Sequence, residues 1–238
     1  MRKLGKIKLF CIPYAGGSAN VYLKWKKLLD SNIELCPIEL KGRGKRFKEN
    51  FYQGFDECVN DIYDQVTKEG FDEYAIFGHS MGCAIAFELI KKLKKDGYEY
   101  PLYAFFSARY PPHINKKKNI DYLNIDDSKL VEEIFKYGGT DKGVLENREL
   151  LQLFLPILRA DFNIHESYEY KADPCKFNFD IAVFHGTKDL YVNEKEMGEW
   201  GNYTNKKFSM HTYNDGHFFI NTYYKDIVNT INIVLKNI

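Results

Sequence analysis

The chain has 238 residues, enough for one sizeable domain, and its 45% hydrophobic and 28% charged content is that of a globular protein, not a disordered one. A formal net charge of +1 exerts no global pull on nucleic acid or an anionic membrane, and no stretch approaches the roughly 20 apolar residues of a membrane span. Five scattered cysteines (Cys11, Cys36, Cys58, Cys83, Cys175) lack C-x-x-C spacing, which argues against a disulfide framework or a zinc site and predicts a reducing, cytoplasmic setting. The N-terminal run with Arg2 and Lys3 is too short for a signal peptide and is broken by Lys6, Lys8 and Pro13.

Ile7 to Ile12 is an apolar run ending at Pro13 and predicts a buried strand. A glycine-rich turn, Tyr14-Ala15-Gly16-Gly17-Ser18-Ala19, leads to a helix from about Val21 to Leu29. A strand over Ile33 to Ile38 runs into the loop Lys41-Gly42-Arg43-Gly44. Phe55, Val59, Ile62, Tyr63 and Val66 recur at helical spacing. A strand through Ala75-Ile76-Phe77 precedes Gly78-His79-Ser80-Met81-Gly82, and a helix extends from there to about Lys95. Tyr103 to Phe106 is the next strand.

After Ser107 the rhythm breaks. From Ile120 to about Tyr170 the pattern is helical only, with Leu130, Ile134 and Phe135 on one helix and Leu150 to Leu158, kinked by Pro156, on another. Alternation resumes with a strand at Ile181 to His185, a loop through Asp189 and a helix near Glu194 to Trp200. A strand over Lys207 to Tyr213 and a last helix from about Phe219 to Leu235 complete the pattern. Short apolar strands alternating with helices predict an α/β protein with a mostly parallel central sheet covered on both faces. We expect a single domain over 1–238, with a helical lid inserted at about 114–171.

A serine between two glycines at a strand-to-helix corner is the nucleophile elbow of the α/β-hydrolase fold. Such a serine needs a base, and the base needs an orienting acid, in the chain order Ser, Asp or Glu, His. His217 lies between the last strand and the last helix, where the base belongs. Asp189 follows the strand ending at His185; Asp180 precedes that strand, and Asp215 would have to share one loop with His217. Attack on a carbonyl builds an oxyanion that needs two backbone N–H donors. Met81, at the start of the helix, and Ala15, in the glycine turn, are the candidates. Ser80, Asp189, His217, Ala15 and Met81 are thus the expected site, with no metal.

These residues stand in motifs that together resemble the type II (editing) thioesterases of nonribosomal peptide and polyketide synthesis. Phe10-Cys11-Ile12-Pro13-Tyr14-Ala15-Gly16-Gly17 resembles that family's oxyanion loop, with Tyr22 and Trp25 downstream. Pro37 to Arg46 is similar to its P-G-R-G-x-R loop, and Gly78 to Gly82 with Ala86-Phe87-Glu88 to its elbow helix. Leu155 to Phe162, with Glu166 and Tyr168, and Gly216-His217-Phe218-Phe219-Ile220 complete the likeness. Lys41 replaces the family's usual proline, and Ala108 a glycine that often follows the strand serine.

The resemblance implies hydrolysis of an acyl, aminoacyl or peptidyl thioester on the phosphopantetheine arm of an acyl or peptidyl carrier protein domain. It implies no cofactor of the enzyme's own, since the arm belongs to the substrate protein. We expect a monomer, with no membrane or nucleic-acid partner. Lys116-Lys117-Lys118 and Lys45-Arg46 are candidate contacts for an acidic carrier. The alternatives are a medium-chain fatty acyl-carrier thioesterase, a general carboxylesterase, or a non-catalytic binding module on the same fold.

Overall fold

Six runs of apolar residues form strands, and their alternation decides which face each side chain covers. In a computed structural model describing residues 5–117, 120–138, 148–172 and 176–236, β1 spans Ile7–Ile12, β2 Ile33–Pro37 and β3 Tyr74–His79. β4 spans Tyr103–Ser107, β5 Asp180–Gly186 and β6 Phe208–Tyr213. They lie in the order β2-β1-β3-β4-β5-β6, and every neighbouring pair is parallel. Phe10, Ile76, Phe106 and Val183 point to one face, Leu9, Phe77, Phe105 and Phe184 to the other, as a period of two requires. Each large apolar side chain so buried contributes about 1.5–3 kcal/mol.

Helix α1 (Phe55–Glu69) and α2 (Met81–Lys95) cover the first face through Ile62, Ile85 and Leu89. The second face is covered by a 3-10 helix at Ala19–Lys27 and by the C-terminal helix, through Trp25, Ile227 and Ile231. The first of these stands where a helix was expected from about Val21 to Leu29, begins two residues earlier and is of the tighter 3-10 kind. Tyr22 and Trp25, three residues apart, are both fully buried, and a three-residue period sets them on one face.

Between β4 and β5 the described residues form α3 (Asp127–Tyr137) and α4 (Arg148–Ser167) and no strand. Helix α4 runs through Pro156 well beyond the expected end at Leu158. Proline removes one helical hydrogen bond and crowds the carbonyl four residues back, a cost of about 3 kcal/mol or more that packing must offset. Leu155, Leu158 and Phe162 hold the helix by packing on Tyr122, Leu130 and Ile134 in a cluster of the insertion's own.

The helix expected near Glu194 to Trp200 is a short α5 (Glu194–Gly198) continued by a 3-10 turn, Glu199–Tyr203. The last helix is divided at Tyr223 into α6 (Phe219–Thr222) and α7 (Tyr224–Lys236). Lys118 and Cys175 lie outside the described residues. Among the described residues no helix is long and apolar enough to cross a membrane.

Candidate active site

Five loops leave the C-terminal ends of five parallel strands, and together they build one site, as is general for open α/β sheets. Ser80 follows β3 directly, with φ 53° and ψ −116°. A Cβ on Gly78 would stand 2.3 Å from the Gly82 carbonyl oxygen, and one on Gly82 would stand 2.3 Å from that of Ile12. Only glycine therefore lets the elbow close against its own helix and against β1. The Ser80 amide donates to the Ser107 carbonyl (2.8 Å), which fixes the corner to β4.

Ser80 Oγ lies 2.9 Å from His217 Nε2, and His217 Nδ1 lies 2.7 Å from Asp189 Oδ2. A carboxylate only accepts, so Nδ1 carries the proton and Nε2 is free to accept from the serine hydroxyl. The other Asp189 oxygen accepts from the amides of Tyr191 (2.8 Å) and Val192 (3.3 Å), which sets the carboxylate's orientation. The Asp189 side chain is fully buried, and His217 nearly so. The rival acids stand elsewhere. Asp180 accepts from the Lys207 amide at the opposite end of β5, and Asp215 accepts from the adjacent Gly216 amide.

The Tyr14–Gly17 turn closes by a 2.8 Å bond from the Gly17 amide to the Tyr14 carbonyl, with Gly16 at φ 80°. Its Gly16 amide donates to Asp161 Oδ2 (2.7 Å). Ala15 and Met81 line the same cavity as Ser80, and among the described residues neither amide has a protein acceptor.

Three groups behind the site were not found by sequence reasoning. His79, wholly buried, places Nε2 3.1 Å from the His217 carbonyl and Nδ1 2.8 Å from Ser107 Oγ. The carbonyl requires a donor, so His79 Nε2 carries the proton, and in the neutral ring Nδ1 accepts from the Ser107 hydroxyl. Burial, and then the neighbouring His217, hold its pKa well below the ordinary histidine value. Cys83 sits beneath the elbow, its Sγ accepting from the Ser107 amide (3.1 Å), and burial pushes its thiol up to about 12.

The third group is an ion pair. Arg43 Nη1 and Nη2 grip Asp161 at 2.5 and 2.6 Å, both side chains being buried, and Nη1 also donates to the Gly17 carbonyl (3.2 Å). Arg43 and Asp161 both belong to quoted motifs, but 118 residues separate them and no spacing rule joins them.

A cavity of about 320 Å³ lies over Ser80. Ile134, Phe154, Leu158 and Phe162 of the insertion form its apolar wall, while Arg109 and His165 form a polar side. Lys41, where a proline was expected, takes no part in this wall. Its amide donates to Tyr52 Oη (3.2 Å) and its ammonium pairs with Glu57 (2.8 Å). Ala108, where a glycine was expected, has φ 54°, the conformation in which glycine is free of strain.

Of the basic residues expected to meet a carrier, Arg46 is held by Asp61 (2.6 Å) and Glu49 (2.5 Å), and Lys116 by Glu196 (2.5 Å). Their charge is already answered within the chain. Among the described residues the one cluster with metal-ligand spacing is Glu34, Cys36 and Glu69, on the outer edge strand, where Lys8 pairs with Glu69 (3.4 Å).

The sequence profile of a family described as "Thioesterase domain" matches residues 7–236. The gramicidin S biosynthesis protein GrsT of Aneurinibacillus migulanus is 34% identical over 90% of this chain and 83% of its own length. The medium-chain S-acyl fatty acid synthase thioesterase of Anas platyrhynchos is 31% identical over 90% of this chain and 85% of its own. The crystal structure of ClbQ from the colibactin NRPS/PKS pathway superposes with a TM-score of 0.92 at 34% identity, covering 98% of both chains.

Proposed function

The chain belongs to the thioesterase domain family, and from that premise we propose that it hydrolyses acyl, aminoacyl or peptidyl thioesters on the phosphopantetheine arm of a carrier protein domain. The enzyme is a thioester hydrolase of α/β-hydrolase fold. In the proposed mechanism His217 takes the proton of Ser80 as its oxygen attacks the thioester carbonyl. The amides of Ala15 and Met81 receive the oxyanion, and the thiol leaves with the proton from His217. His217 then activates water, which releases the acid and restores the serine. Asp189 holds the imidazole tautomer and stabilises the imidazolium.

The observation that carries this reading is the continuous Asp189–His217–Ser80 hydrogen-bonded line at 2.7 and 2.9 Å, ending beneath the cavity. In this proposal α3 and α4 act as a lid, and the phosphopantetheine arm reaches Ser80 beneath it. The enzyme works as a monomer in the cytoplasm, brings no cofactor of its own and meets its partner as a carrier domain of a biosynthetic synthetase. Ser80→Ala is expected to lower hydrolysis of an acyl-loaded carrier on the order of 10⁴-fold or more, read by intact mass spectrometry of the carrier. Near-normal hydrolysis by that variant would sink the proposal.

The apolar wall of Phe154, Leu158 and Phe162 favours a second reading, release of medium-chain fatty acids from a fatty acid synthase. Comparing rates on short aminoacyl and medium-chain acyl groups loaded on one carrier separates the two.

A further inference from the structure

The cavity over Ser80 adjoins a second one of about 300 Å³, and Arg109, Tyr110, Lys116, His165 and Glu166 line both. Arg109 therefore stands where the two meet. It is only 9% exposed. Its Nη1 donates to His165 (2.9 Å to Nε2), and its guanidinium carbon lies 5.2 Å from the centre of the Tyr110 ring. Among the described residues no carboxylate lies within 4.0 Å of it, and nothing accepts from Nε or Nη2. The other basic residues lining these cavities differ: Lys116 pairs with Glu196, and Lys117 lies 3.9 Å from Glu169.

A buried guanidinium with no carboxylate within 4.0 Å is costly to hold; the Tyr110 ring face offsets its charge only in part, and the bond to His165 does not require a full charge. A neutral donor at this position would serve His165 equally well. What a neutral donor cannot do is present a planar fork to two oxygens of an anion. The backbone brings this fork close to the nucleophile, since the Ser80 amide bonds the carbonyl of Ser107, two residues before Arg109.

We propose that Arg109 is a specificity residue that binds an oxyanion of the thioester substrate at the junction of the two cavities. This deepens the thioesterase reading and rests on it. The chemistry is that of a carboxylate or phosphate, and the substrate offers two sources. One is a carboxylate carried by the acyl group; the other is the phosphate of the phosphopantetheine arm.

Four thioesters distinguish these sources: succinyl and butyryl groups, each on pantetheine and on 4′-phosphopantetheine. With the wild-type protein, kcat/KM for the anionic member of one matched pair should exceed that of the neutral member by on the order of 10-fold or more. A succinyl preference on both arms assigns the acyl carboxylate, and a phosphopantetheine preference with both acyl groups assigns the phosphate. Arg109→Gln should bring that ratio close to one, and Arg109→Lys, which keeps the charge but loses the fork, should retain part of it. Wild-type ratios all within about twofold of one would overturn the proposal without reference to any variant, as would a preference unchanged in Arg109→Gln. Absence of hydrolysis with all four, together with a Ser80 that resists a fluorophosphonate probe, would overturn the thioesterase reading as well.

Discussion

Ser80 occupies a backbone region that costs a non-glycine residue about 1–3 kcal/mol, and its neighbours over-determine it. The corner is held by Ser107 on one side and by two glycines packed against backbone on the other. His79 then ties the histidine loop to the same corner, in a site that admits only the neutral ring. Its folded pKa is depressed, so below about pH 6.5 the unfolded chain binds the proton and the folded chain does not. Stability from this residue is fully present above pH 6.5 and falls as the pH drops below it, by about 1.4 kcal/mol per pH unit. Urea unfolding at pH 7.5 and 5.5 should show this loss, and His79→Gln should flatten the difference. An unchanged slope in the variant would assign the pH dependence to His185 and His211, whose pKa values burial also lowers.

The hydrogen-bonded line of Ser80, His217 and Asp189 was legible because these residues sit at fixed points of the chain order, each just beyond a strand. His79 was not. Its role depends on the His217 carbonyl, 138 residues away in sequence.

At the scale of elements, the Arg43–Asp161 pair joins the loop after β2, the glycine turn after β1 and helix α4. The helix that supplies Leu158 and Phe162 to the cavity wall thus also fixes the turn carrying Ala15. Asp161→Ala would leave a buried guanidinium without its carboxylate, so unfolding free energy should fall by about 3–5 kcal/mol. The double variant Arg43→Met, Asp161→Leu should lose less than the single one, because no charge is stranded. Single and double variants of equal stability would show that the pair is not energetically coupled.

Element boundaries were the least legible part of the chain. The 3-10 helix at Ala19–Lys27 answers to the burial of Tyr22 and Trp25, and Tyr22 Oη also bonds the Ile12 carbonyl (2.8 Å). The run of α4 through Pro156 answers to packing partners in α3 and to Asp161. Each outcome is a tertiary effect that local propensity does not contain.

For the molecule as a whole, strand order explains why residues far apart in the chain gather around Ser80. With β1 between β2 and β3 and every strand parallel, the loops after β1, β3, β4, β5 and β6 emerge at one edge. Residues from Tyr14 to His217 thereby meet over one serine. Motif order reveals that convergence, since a parallel sheet leaves its strand ends little choice. What motif order leaves out is the interior of the site: an apolar wall contributed by the insertion, and a buried Arg109 that among the described residues has no carboxylate within 4.0 Å.

In the proposed function the acyl group passes from a carrier-bound thioester to Ser80 and then to water. The most direct test of this transfer mixes an acyl-loaded carrier with the wild-type protein and follows both by time-resolved intact mass spectrometry. The acyl mass should leave the carrier and appear transiently on the enzyme, on a peptide containing Ser80, before the free acid accumulates. A carrier that keeps its acyl group, or loses it as fast with Ser80→Ala as with the wild type, would rule out transfer through Ser80.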